Sequence, residues 1–212
     1  MEAFNRDTAY WDNYYRNTVI NDASLFAYRV KEDIIKGKHI LDIGCGNGRD
    51  SIFFINLGMV VTGIDASYVA IKKLKETFGD NTKHCFVCDD FVTSKAVYDK
   101  KYDYCYSRFS IHAINDEQEM VLLNNVYNSL NKNGNFFIET RCIRDNIFGL
   151  GKKINKNTYI YNDHYRRFID KDELINRLKK IGFLIDYAEE NTGFAPYGDS
   201  DPVILRIIAK KI

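Results

Sequence analysis

The segment HILDI runs into a loop with Gly44, Gly46 and Gly48 and then into RDSIFF, whose apolar residues recur at helical spacing. Strand, glycine loop and helix form a ligand-binding arrangement, because glycine lets the backbone turn sharply and approach a ligand while the helix start offers unpaired N–H groups. The loop reads G-C-G-N-G rather than G-x-G-x-x-G, and Asp42 stands two residues before its first glycine. An acid there would repel a pyrophosphate but would accept charge-assisted hydrogen bonds from the ammonium group of a bound amino acid. Asp65 closes the next apolar run, 21 positions after Gly44, where a carboxylate can take both hydroxyls of a ribose. A third run ends in Asp89, Asp90 and Phe91, which puts a carboxylate and an aromatic ring where an adenine would lie. An adenosine joined to an amino acid satisfies all three positions, so S-adenosylmethionine is favoured over NAD. The competing assignments are local ones, with Asp65 capping the following helix and Asp89 and Asp90 serving as solvated turn residues.

A second group of residues addresses an acceptor. The run YDYCYSRFSIHAI places Ser107, Arg108 and His112 beyond the carboxyl end of a fourth strand. Ser107 is expected beside the cofactor, and His112 is the candidate general base, since imidazole accepts a proton near neutral pH. Orienting the loop is the alternative for His112. Arg108 is a structural anchor or an acid-binding group. Residues 141–167 carry Arg141, Arg144, Lys152, Lys153, Lys156, Arg166 and Arg167 against only Asp145 and Asp163, mixed with Tyr159, Tyr161, His164 and Tyr165. Arginine forks suit phosphate or carboxylate, so Arg141, Arg166 and Arg167, with His164 and Tyr165, are the candidates for holding an anionic acceptor. A solvated basic loop is the alternative.

These groups need a scaffold that brings successive strand ends together. Short apolar runs at 39–43, 60–64, 84–88, 103–107 and 135–139, separated by segments of helical spacing, predict a doubly wound α/β domain with a parallel sheet covered on both faces. Two helices, 7–16 and 22–36, are expected to cap it, bringing Trp11 to the cofactor and Tyr15 to the acceptor. After the fifth strand an irregular stretch, a helix at 170–181 and strands at 183–188 and 203–209 are expected, the last two pairing as an antiparallel edge hairpin. The divisions are thus a cap over 1–36, a cofactor-binding core over 37–140, a substrate lid over 141–169 and a final helix and hairpin over 170–212, all in one domain. The segment TGFAPYGDSDP at 192–202 is expected to cover the opposite side of the acceptor.

Composition narrows the partners. The 212 residues are 45% hydrophobic, enough for one core, and 30 basic residues against 29 acidic ones supply no general field for nucleic acid or an anionic membrane. No apolar run approaches the roughly 20 residues that span a bilayer, and the start lacks a signal-peptide core, so a cytoplasmic location is expected. Five cysteines without a histidine pattern favour neither disulfides nor zinc, and Cys85 and Cys88 lie three apart on an expected strand, facing opposite ways.

LDIGCGNG, the acid at the next strand end and the acid after the third strand resemble the first motifs of class I S-adenosylmethionine-dependent methyltransferases, over residues 37 to 140. The YWDNYY segment and Arg49-Asp50-Ser51 are similar to the small-molecule branch that includes tellurite-resistance and thiopurine-type enzymes and bacterial surface-polysaccharide and phosphonate-pathway members. The resemblance implies that Asp42, Gly44, Cys45, Gly46 and Gly48 contact the methionine end, that Asp65, Ala66 and Ser67 hold the ribose, and that Asp89, Asp90 and Phe91 hold the adenine. Arg49-Asp50 departs from the small residues usual there, which suggests an acceptor contact or a salt bridge to the cap. The expected activity is methyl transfer to a small metabolite, with the basic segment pointing to an anionic one carrying phosphate, phosphonate or carboxylate, on oxygen in preference to nitrogen. The alternatives are a nucleic-acid methyltransferase, which the absence of any Pro-Pro or Pro-Cys disfavours, a non-catalytic S-adenosylmethionine-binding protein, and an NAD-dependent oxidoreductase.

Overall fold

The computed structural model describes residues 2–19, 22–79 and 83–212. The strands are β1 (His39–Ile43), β2 (Val60–Asp65), β3 (Cys85–Cys88), β4 (Tyr102–Arg108), β5 (Leu130–Arg141), β6 (Lys152–Asn155), β7 (Thr158–Tyr161), β8 (His164–Arg167), β9 (Phe183–Asn191) and β10 (Ile204–Lys211). The helices are α1 (Glu2–Asn17), α2 (Leu25–Val30), α3 (Arg49–Asn56), α4 (Tyr68–Phe78), α5 (Lys95–Tyr98), α6 (Asp116–Ser129) and α7 (Lys171–Ile181). Seven strands form one sheet in the order β3-β2-β1-β4-β5-β10-β9. The first five run parallel, and β10 inserts antiparallel between β5 and β9. The expected doubly wound sheet with its antiparallel hairpin is the observed one.

Strand alternation divides the core. Along β5, Phe136 and Ile138 face the side of α6 and α7, with Leu122, Val126 and Leu178, while Phe137 faces the side of α2 and α3, with Phe26 and Phe54. The carboxyl ends of the parallel strands therefore open along one edge, where β1 turns into the glycine loop.

Two expectations change. The second cap helix is short: α2 is followed by a single tight turn, Lys31–Asp33, and Ile34 is extended because Ile35 N–H donates to Tyr104 Oη and Ile34 joins the core. The irregular stretch after β5 is instead a second antiparallel sheet, β6-β7-β8, joined to the main sheet by the bridge between Cys142 and Ile169. Its outer strand shows no apolar alternation, since all four residues of β6 are exposed.

Candidate active site

The glycine loop is held by backbone and acid together. Gly44 and Cys45 N–H both donate to Ile64 O at 2.8 and 3.0 Å, and Gly46 N–H donates to Asp65 Oδ2 at 2.8 Å. The other oxygen of Asp65 accepts Ser67 N–H at 2.8 Å. One carboxylate thus joins the loop to the start of α4. A side chain at Gly46 would strike the Tyr15 hydroxyl, 2.3 Å from the Cβ position, so α1 lies directly over the loop. Gly48 serves packing: at φ +83° it starts α3 against Leu74.

Between loop and α1 lies a cavity of about 280 Å³ lined by Trp11, Tyr14, Tyr15, Asp42, Gly44, Cys45, Gly46, Arg49, Asp65, Ala66, Phe91, Arg108, Phe109 and Ser110, among others. A second cavity of about 190 Å³ shares Trp11, Ala66, Phe91 and Ala113 with it and adds Asp90, Asn115, Gln118 and Tyr165. Two acids face the first, Asp42 buried and Asp65 half-buried. Ser51 donates to Asp42 at 2.6 Å, yet burial pushes the Asp42 carboxyl up to about 8, with Asp50 and Asp65 adding to the effect. Burial also raises Asp65, against its two backbone hydrogen bonds. Both are in surroundings that a cationic ligand would relieve.

Helix α1 ties the two halves of the site. Asp12 accepts from Ser67 Oγ at 2.5 Å and Val69 N–H at 3.2 Å, Lys73 Nζ donates to Tyr15 O, and Tyr10 stacks on His164 of β8 at 4.7 Å. Trp11 meets the same imidazole edge-on at 5.2 Å, and His112 lies 6.5 Å beyond it. Both histidines are buried with Nδ1 lacking a partner among the described residues. Burial first, then Arg141 among others, holds His112 well below the ordinary histidine range; burial, Arg166 and Arg141 bring His164 to about 4.

The chain matches the methyltransferase domain family over residues 14–187. It belongs to that family. Its methyl donor is S-adenosylmethionine, and the two cavities with their acids and glycine cradle fit that cation. A search of curated proteins found no match. Among solved structures, the chain is similar to a SAM-dependent methyltransferase from Methanosarcina mazei (TM-score 0.75, 19% identity, 91% of this chain and 99% of that one). It is also similar to a TehB-like SAM-dependent methyltransferase from Corynebacterium glutamicum (TM-score 0.69, 20% identity, 96% and 99%). A third is the 1,6-didemethyltoxoflavin-N1-methyltransferase of Burkholderia thailandensis, with bound 1,6-didemethyltoxoflavin and S-adenosylhomocysteine (TM-score 0.65, 17% identity, 88% and 76%). At these identities the likeness is one of fold.

In this methyltransferase several expected site residues stand elsewhere. Ser107 is fully buried and lines neither cavity, since register pairs it with Ile43 and Ile138 inside the sheet. Ser67 caps α4, accepting from Ala70 N–H, and Gly48 packs on Leu74; neither reaches a cavity. Asp89 is exposed and accepts Asp90 N–H, so Asp90 and Phe91 are the third-strand residues at the cavities. His112 is buried and lines neither cavity, and its depressed basicity opposes the role of proton acceptor. Arg167 is a structural anchor: buried, it donates to Ile114 O at 2.8 Å, Ile111 O and Asp116, and pairs with Glu119. Lys156 pairs with Glu173 and Arg144 with Glu190, while Lys152 and Lys153 lie on the exposed strand β6. Arg141, which also pairs with Asp145, and Arg166, bonded to Tyr161 O, are the basic groups left beside the histidines. Asp50 accepts from Ser24 N–H and Oγ and from Tyr106 Oη, so it holds the start of α2 by hydrogen bonds rather than by a salt bridge. The 192–202 segment lies away from both cavities, with Phe194 stacked on Arg206 at 4.1 Å. Sequence reasoning missed Tyr14, Tyr106, Phe109 and Ser110. The left-handed Phe109, at φ +54°, had no glycine or asparagine to signal it.

Proposed function

We propose that this methyltransferase acts on a small acceptor carrying an anionic group, phosphate, phosphonate or carboxylate, and methylates oxygen. The supporting observation is the pairing of neutral, buried His112 and His164 with Arg141 and Arg166 beside the cavities, a site whose charges an oxyanion would balance. S-adenosylmethionine supplies, when bound, a methyl group on a sulfonium that is transferred by in-line displacement. Asp42 would receive its ammonium group, Asp65 its ribose, and Asp90 and Phe91 its adenine. The chain's own contribution is alignment and the exclusion of water by Trp11, Tyr14 and Tyr15 of α1, with residues 141–169 acting as the acceptor lid. An oxyanion arrives already ionised, so no residue must remove a proton before attack, which agrees with the weak basicity of His112.

Calorimetric titration with S-adenosylhomocysteine and with NAD tests the donor reading. A thermal-shift screen of phosphorylated and carboxylated metabolites with S-adenosylhomocysteine present tests the acceptor. A further rise in Tm with an anionic metabolite, and methyl incorporation into it, is the expected result. A response confined to uncharged acceptors or to nucleic acid would overturn the acceptor class.

A further inference from the structure

The carboxyl edge of the sheet carries a buried row of charges that the reading above leaves unused. Glu139 of β5 stands in register with Arg108 of β4 on one side and Arg206 of β10 on the other. Its side chain is 0% exposed, and both oxygens are engaged, Oε1 by Arg108 Nε at 2.8 Å and Oε2 by Arg206 Nε at 2.6 Å. Arg206 is closed off: its guanidinium lies over Phe194 at 4.1 Å and Phe26 at 5.1 Å, and Nη2 donates to Phe194 O. Arg108 is left open. It lines the larger cavity, is 23% exposed, and stacks on Phe109 at 4.6 Å, with Arg141 over the same ring at 5.8 Å. Among the described residues its terminal nitrogens have no hydrogen-bond partner.

An arginine held through Nε and packed on a ring has spent its rotational freedom before a ligand arrives, and its remaining edge presents paired donors to two oxygens of a carboxylate or phosphate. With two arginines on one glutamate, the row keeps a net positive charge in a buried setting. We propose that Arg108 binds the acceptor's oxyanion through its terminal edge, and that Glu139, braced by Arg206, is the positioning residue that fixes it there. This rests on the anionic-acceptor reading and adds to it the group that orients the anion between the glycine loop and Arg141.

The test uses the full-length protein saturated with S-adenosylhomocysteine and inorganic phosphate as the probe, read by the phosphate-dependent rise in Tm. Arg108→Lys keeps the charge and loses the fork; Glu139→Gln loses the bracket; Glu139→Asp keeps the carboxylate. Arg108→Lys and Glu139→Gln are expected to weaken phosphate about tenfold while S-adenosylhomocysteine affinity stays within about twofold, and Glu139→Asp recovers part of the loss. If Glu139→Gln does not fold, the partly exposed Arg108→Lys decides. Weakened S-adenosylhomocysteine binding in Arg108→Lys would assign the arginine to the donor and overturn the proposal. Phosphate binding that survives in Arg108→Lys but is lost in Arg141→Gln would overturn it too, leaving the anionic acceptor standing. No phosphate response in the parent protein would sink both.

Discussion

Asp42→Asn is expected to remove a pH dependence that the parent protein shows in binding S-adenosylhomocysteine. Burial, reinforced by Asp50 and Asp65 and opposed by the bond from Ser51, places the Asp42 carboxyl at about 8 in the free protein. Below that pH the group is a neutral acid. A ligand ammonium favours the carboxylate, so binding must release the proton, at about 1.36 kcal/mol for each pH unit below the folded value. Affinity should therefore rise about tenfold per unit from about pH 6 to about pH 8 and then level off, with close to one proton released per ligand near neutrality. The sign for stability is opposite. Because the folded value is raised above that of the unfolded chain, the free protein retains a proton that the unfolded chain has lost, and its stability declines as pH climbs from about 4 to about 8. Calorimetry in two buffers of different ionisation enthalpy counts the protons. The variant should bind more weakly above pH 8 and show a flat profile. A flat profile in the parent, with no proton released, would refute the assignment of Asp42 to the ammonium group.

Asp65→Asn should cost about 1–3 kcal/mol, because its amide group cannot accept from both Gly46 and Ser67. For a chain of this size that is a fall of roughly 2–12 °C in Tm by scanning calorimetry, with weaker S-adenosylhomocysteine binding, and parent-like values in both would contradict the site. Arg167→Met breaks a buried ion pair with Glu119 and should cost about 3 kcal/mol while leaving S-adenosylhomocysteine affinity intact in the folded fraction; an unchanged Tm would show that the residue is not an anchor. Arg166→Gln should do the reverse, keeping Tm within about 2 °C and abolishing the thermal shift from anionic metabolites. An intact shift would remove Arg166 from the acceptor site.

The cofactor half was legible because its signals are local. Strand ends, a glycine loop and an acid at fixed spacing occupy a few residues each, and a doubly wound sheet delivers successive strand ends to one edge. Asp42, Asp65 and Phe91, separated along the chain, line one cavity. The acceptor half was harder to read. Seven basic residues looked alike in sequence, yet partners distant along the chain sort them: Glu119 claims Arg167, Glu173 claims Lys156 and Glu190 claims Arg144. The second sheet was hidden for a related reason, since its outer strand is exposed on both faces and lacks an apolar alternation. His112 shows how neutral-pH chemistry inferred from residue type yields to surroundings, because burial beside cations removes the basicity that free imidazole would have.

By itself the sequence determined the parallel core, the glycine cradle and the identity of the donor, all properties of short segments whose hydrogen bonds and periodicity are set by neighbours along the chain. Only the tertiary structure decided which charges remain open. A guanidinium becomes an anchor where carbonyls and distant carboxylates fill its edges together, as around Arg167, and keeps an open edge where a carboxylate takes only one, as Glu139 does for Arg108. That outcome depends on strand register and burial, which fix both the distance between charges and the water available to screen them.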